Sequence, residues 1–175
     1  VLPGESLLAG LFAFKLLAAA AYLGCAALIW RIVRRTQPGA EAFATLLFAW
    51  NPFVLLRLVG NGHNDGWMLL FMLLALDAAQ RRHWVWAIEA LALSVLVKYA
   101  TALLGPPLLI YIWVQGGDDL RSRARPILLG GLLAAGTAVL AYAPFFAGVA
   151  TFQSVLSESQ HMITSTPVLL EYWIE

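Results

Sequence analysis

Residues 6–30 carry a single charge, Lys15, in a run of Leu, Ala and aromatic side chains. A helix needs about 20 such residues to cross the hydrocarbon core of a bilayer. The pattern then recurs at 42–60, 66–80, 84–98, 99–114 and 126–147, with short polar connectors between the runs. With 61% hydrophobic residues and 12% charged in 175, a soluble domain of this length could not hide its apolar surface. The sequence therefore predicts an all-α, polytopic integral membrane protein. It has five to six transmembrane or re-entrant helices in a single membrane domain, 1–175, and an outer loop at 148–171.

Charge placement sets the orientation. Of eleven Lys and Arg, eight fall in three connectors: Arg31, Arg34 and Arg35; Arg81 and Arg82; Arg121, Arg123 and Arg125. The positive-inside rule puts these connectors in the cytoplasm, and Trp30, Trp84, Trp86 and Trp113 lie beside them as interfacial anchors. The N-terminus, the Gly60–Asp65 turn and the 148–171 loop then face outward. The net charge of +1, with its bases in short clusters, gives no reason to expect a nucleic-acid partner. The lone Cys25 excludes an internal disulfide and is expected to pack in the core. A chain that opens at Val1 and stops in "LLEYWIE" reads as an internal piece of a longer membrane protein.

Both flanks of 84–114 are cytoplasmic in this scheme, so the stretch must cross an even number of times. Two arms of about fifteen residues reach only about 22 Å each, short of the roughly 30 Å core. The expectation is a thinned pair of spans or a re-entrant hairpin, turning near Lys98 and Tyr99. A single tilted helix is the alternative, at the cost of three arginines on the outer side.

Three bases remain once the connectors are set aside: Lys15, Arg57 and Lys98. Charges embedded in apolar runs are costly and mark functional sites by default. Arg57 lies one turn before Gly60, and Lys98 projects to the same side if the hairpin holds, so two cations below an outer turn could bind a phosphate. The plainer readings are that Arg57 snorkels to headgroups and that Lys98 pairs with Glu89 or Asp77. Lys15 has no obvious partner.

The turn itself reads "GNGHNDG", residues 60–66. Gly60 can end one helix and Asn64 or Asp65 can cap the next. Capping does not explain His63, and Gly62 and Gly66 suit a backbone that approaches a ligand closely. An Asp beside a His can act as or orient a general base. His63 and Asp65 offer only two ligands to a metal, so no metal or other cofactor is expected, although a divalent ion is compatible with the site. Upstream, Asn51-Pro52 is expected to kink the helix that carries Arg57.

"WNPFVLLRLVGNGHNDGWMLLFMLLAL" followed by "ALALSVLVKYATALLGPPLLIYIW" resembles the bacterial polyprenyl-phosphate-mannose-dependent mannosyltransferases. These are multi-span GT-C glycosyltransferases that include alpha-1,6-mannosyltransferases and the related family 87-like enzymes. The likeness is good over 50–113 and rests on hydropathy elsewhere. It implies a GT-C-like fold and transfer of a sugar, mannose first, from a polyprenyl-phosphate donor to a glycan or glycolipid acceptor outside a bacterial cell membrane. By position it implies that Arg57 and Lys98 hold the donor phosphate and that His63, Asn64, Asp65 and Tyr99 line the sugar or acceptor pocket. Such enzymes carry their catalytic acid residue in the first outer loop. Here only Glu5 precedes the first run, so the base is expected upstream of Val1, with Asp65 as a substitute candidate, and the piece alone is expected to be inactive.

Two rivals stand beside this reading. A transporter or lipid-linked-sugar flippase would use embedded bases and a broken hairpin as a substrate path, and would show inverted repeats, which the sequence lacks. A membrane scaffold would tolerate alanine at Arg57, Asp65 and Lys98. The polar stretch "SVLSESQHMITSTP" with Gln160, His161 and Ser165 reads as a solvated outer loop, or as a cover for the pocket.

Overall fold

The computed structural model describes residues 7–146, so the 148–171 loop and Glu5 lie outside the described residues. Every described element is a helix of some kind, and no strand occurs among the described residues. α1 spans Leu7–Thr36, α2 Glu41–Ala49, α3 Pro52–Leu55, α4 Asp65–Gln80, α5 Trp84–Val97, α6 Gly105–Gln115 and α7 Leu120–Tyr142. The chain divides into two units, Val1–Ala138 and Val139–Glu175. The described part of the second comprises the end of α7 and a 3-10 turn, Ala143–Phe145.

Among the described residues, two helices are long and apolar enough to cross a membrane, Ala9–Thr36 and Leu120–Phe145. A third candidate is the pair 41–49 and 52–60, which bends by 54°. Asn51 is the cause of the bend: its Oδ1 accepts from Phe53 N at 3.0 Å and Val54 N at 3.3 Å and so starts a new helix at Pro52. Proline is suited to that first position because it has no N–H to leave unpaired. Length alone thus supports two to three spans where five to six were expected. The difference arises because α4, α5 and α6 have 16, 14 and 11 residues, each under the length that spans a bilayer unaided.

Small residues let the first unit pack. α1 and α4 run side by side in the same direction, with Gly24 against Leu70, Ala21 against Gly66 and Arg31 against Asp77. A Cβ on Gly24 would lie 2.8 Å from Leu70 Cδ1, the close approach that glycine permits between membrane helices. Cys25 is fully buried in a cluster with Leu28 and Leu73, and its thiol donates weakly to Gly66 O. α5 runs antiparallel on α4, where the buried Ser94 hydroxyl donates to Met68 O at 2.9 Å. Large apolar side chains such as Leu16, Leu23, Leu128 and Leu132 stay exposed, as a lipid-facing surface requires.

The far end of α1 and α4 removes the plainer reading of Lys98. Asp77, almost fully buried, holds Arg35 at 2.6 Å, Arg31 at 2.9 Å and Arg81 at 3.1 Å. Three of the connector arginines are therefore ion-paired. Glu89 accepts from the Thr137 hydroxyl at 2.7 Å. Neither acid pairs with Lys98.

Candidate functional site

The segment after Asn51 departs from α geometry. Leu56–Gly60 forms a π turn, closed by Asn61 N donating to Leu56 O at 2.8 Å. Single π turns insert one extra residue into a helix and recur at functional sites. The Lys15 ammonium reaches over from α1 and donates to Val59 O at 3.2 Å and to Gly60 O. It thereby takes up carbonyls that the end of a helix leaves without partners. Sequence reasoning found Lys15 but no partner for it, because its acceptors are backbone atoms of another helix.

Gly62 follows with φ 63°, a left-handed conformation, and an added Cβ would overlap the Phe14 ring. Its glycine is thus required by backbone angle and by packing on α1. Gly66 is different: a Cβ there would meet only ordinary contacts with Ala21 and Leu58. Contacts within the fold account for Gly62, whereas nothing in the packing requires glycine at Gly66.

This turn delivers four side chains to one place, and Lys98 comes from α5. Lys98 ends that helix in an extended conformation (φ −155°, ψ 113°), and a 3-10 turn, Tyr99–Leu104, follows. Thr101 secures the break, donating from its hydroxyl to Lys98 O at 3.0 Å. Asp65 is the centre. Its Oδ1 accepts from Lys98 Nζ at 2.9 Å, and its Oδ2 lies 3.2 Å from His63 Nδ1 and 3.9 Å from Arg57 Nε. His63 Nδ1 also lies 3.1 Å from Asn64 Oδ1, while Arg57 Nη2 stands 3.3 Å from His63 Nε2. Acceptors around Nδ1 and a guanidinium donor at Nε2 assign the proton to Nδ1.

The Asn64 side chain therefore serves His63 and does not cap α4. Tyr99, next to Lys98, is half-exposed. The cations converge as the sequence suggested, but they converge on a carboxylate. Lys98, hydrogen-bonded to Asp65, holds that carboxyl below the usual carboxylate range, with smaller help from the charges of His63 and Arg57. Asp65 lies in the turn, ahead of the apolar run of α4. Arg57, Lys98 and Asp65 sum to one positive charge, and Lys15 adds another behind the turn. The side chains of Arg57, His63 and Lys98 are 38–46% exposed, so a ligand can reach them. Among the described residues no group of three His, Cys, Asp or Glu comes together as a metal site would require.

Comparison with known proteins gives this arrangement a context. Residues 1–115 match the family described as alpha-(1->6)-mannopyranosyltransferase, N-terminal domain. The chain belongs to this family. The match takes in Lys15, the 57–65 turn and Lys98, and it extends to Val1, well beyond the 50–113 stretch that carries the likeness by eye. Alpha-(1->6)-mannopyranosyltransferase A of Corynebacterium glutamicum is 30% identical over 111 residues, covering 62% of this chain and 22% of that protein. The chain thus spans under a quarter of the length of this mannopyranosyltransferase. No solved structure matches.

Proposed function

We propose that the Asp65 cluster is the phosphate end of a glycosyltransferase site. The enzyme would move a sugar, mannose first, from a polyprenyl phosphate to a glycan or glycolipid acceptor on the extracytoplasmic side of a bacterial cell membrane. The observation that carries this reading is the meeting of Arg57 and Lys98 on one partly exposed carboxylate in a chain of the mannopyranosyltransferase family. The orientation is supported by Arg31, Arg35 and Arg81, which cluster on Asp77 at the opposite ends of α1 and α4.

In this reaction the acceptor hydroxyl attacks the anomeric carbon, the bond from that carbon to the phosphate oxygen breaks, and the acceptor proton passes to a base. The donor phosphate is a diester with one negative charge. It leaves as a monoester with up to two, so positive groups in place beforehand stabilise the transition state more than the ground state. Arg57 offers a planar fork to two phosphate oxygens, and Lys98 a single ammonium on a flexible stem. Asp65 holds both cations in position and neutralises one of them until the phosphate arrives. A carboxylate already bonded to Lys98 is a weak base, so Asp65 serves as counter-ion, and acceptor deprotonation falls to another carboxylate of the whole enzyme. His63 and Asn64 then face the sugar or acceptor, with Tyr99 beside them.

The test uses the full-length protein and radiolabelled polyprenyl phosphate mannose. Arg57→Ala and Lys98→Ala should each lower transfer at least tenfold while the protein still folds. Unchanged transfer in both variants would leave the cluster a structural network that only fixes the turn to Lys98.

A further inference from the structure

At the opposite end of α4 the chain reverses through Arg81, Arg82 and His83 into α5. His83 N donates to Ala78 O at 2.9 Å and Arg82 N to Ala79 O at 3.0 Å, the paired bonds of a helix-ending turn whose left-handed position favours glycine. Arg82 occupies that position with φ 59°, and it is the non-glycine residue with positive φ among the described residues. A strained residue held in place invites a functional explanation. Arg82 donates to Gln115 Oε1 at 3.3 Å, which fixes the direction of its guanidinium. It borders an open cavity of about 350 Å3 lined by His83, Trp84, Val85, Trp86 and Pro126 as well. Trp84 is held edge-on to Tyr111, with ring centroids 5.9 Å apart.

At this same end of α4, Arg31, Arg35 and Arg81 share the single carboxylate of Asp77, which leaves two positive charges in excess. Their side chains are 36–45% exposed, so part of each guanidinium remains available. Trp84 and Trp86 mark the depth, since indoles settle where hydrocarbon meets headgroups. Basic pockets at that depth on the cytoplasmic side attract anionic headgroups.

We infer that the α4–α5 turn binds the phosphate of an anionic phospholipid, with Arg82 as its principal contact, His83 as a second donor and the two indoles against the glycerol and upper acyl chain. This site is independent of sugar transfer and lies at the other end of α4 from Asp65. The charge excess selects an anionic headgroup over a zwitterionic one, and the apolar indole walls select a lipid over a free anion.

The full-length protein, reconstituted in phosphatidylcholine vesicles or in an equimolar mixture with phosphatidylglycerol, gives the test through its thermal unfolding midpoint. The wild type should gain a few degrees in the mixture. Arg82→Gly relieves the backbone strain, so it should unfold no earlier than wild type in phosphatidylcholine yet lose most of the gain from phosphatidylglycerol. Arg34→Gln, which changes an exposed arginine at the end of α1, outside the cavity, should keep the gain. An equal gain in Arg82→Gly, or an equal loss in Arg34→Gln, overturns the site in favour of general surface attraction. Inorganic phosphate added to phosphatidylcholine vesicles should leave the midpoint unchanged; reproduction of the gain would make the ligand a free anion and overturn the lipid assignment.

Discussion

Asp65→Asn separates the counter-ion role from a role as base. The carboxamide keeps the size of the side chain and leaves an oxygen for Lys98 to donate to, but it removes the negative charge shared by Lys98 at 2.9 Å and Arg57 at 3.9 Å. The wild-type donor must draw these cations away from Asp65. Exposed ion pairs are worth about 0.2–1 kcal/mol, while removing one partner of a fully buried pair costs about 3–5 kcal/mol. The carboxylate is 21% exposed and the lysine 40%, so an intermediate value of about 1.4 kcal/mol is reasonable, a factor of ten in affinity. The charge of the Arg57, Lys98 and Asp65 group rises from +1 to +2, and a dianionic leaving group feels that change most. Asp65→Asn should therefore bind polyprenyl monophosphate about tenfold more tightly at low salt. The gain should shrink as salt rises, because a charge effect at a half-exposed site is screened. Turnover should fall through slow product release, visible as a pre-steady-state burst with donor in excess over enzyme. Equilibrium binding of radiolabelled polyprenyl phosphate to the full-length protein measures this directly. Unchanged or weaker binding would refute the competition between carboxylate and phosphate on which the reasoning depends.

Other substitutions probe the supports. Gly62→Ala meets both a left-handed backbone and the Phe14 ring. It should lower stability by about 1–3 kcal/mol, and adding Phe14→Leu should restore only part, since the backbone strain persists; unfolding midpoints of the wild type and the two variants check it. Asp77→Asn leaves three guanidiniums without a counter-charge at a buried site. A loss of about 2–3 kcal/mol is expected because the arginines themselves are half-exposed, and a midpoint close to wild type would show that water already screens them. Lys15→Met removes the donor to Val59 O and Gly60 O. It should cost about 1–2 kcal/mol and raise KM for the donor more than it lowers kcat, as steady-state transfer kinetics can show.

Much of the helical layout was visible because long apolar runs and polar breaks leave few options, and because Asn51-Pro52 carries both a cap and a helix breaker. The polar pairings were less visible. Arg31 and Arg35 stand four residues apart on one helix face, as do Asp77 and Arg81, yet nothing in the sequence says that α1 and α4 lie parallel with these faces together. Lys98 and Asp65 are 33 residues apart, and the choice of Asp65 over Asp77 or Glu89 depends on α5 ending at Val97 and on Lys98 being extended. The packing role of Gly62 was not visible: its neighbour, Phe14, sits 48 positions earlier on another helix. Arg82 gave no sequence signal at all, since left-handed strain is a property of the backbone that an arginine does not advertise.

The π turn at Leu56–Gly60 has a consequence for how this segment tolerates change in length. A wider turn holds one residue more than a continuous α-helix would between the same two ends, which amounts to a phase offset of about 100°. Because the ends are the same, loss of one residue between 56 and 60 is absorbed by reversion to α geometry, and everything from Asn61 to Asp65 faces as before. Gain of a residue has no such reserve: the segment would turn by about 100° and carry His63 and Asp65 away from Lys98. A one-residue insertion here should thus resemble a site mutation in effect, whereas a one-residue deletion should be nearly silent. Segment length, as much as residue identity, is under constraint at this end of the bundle.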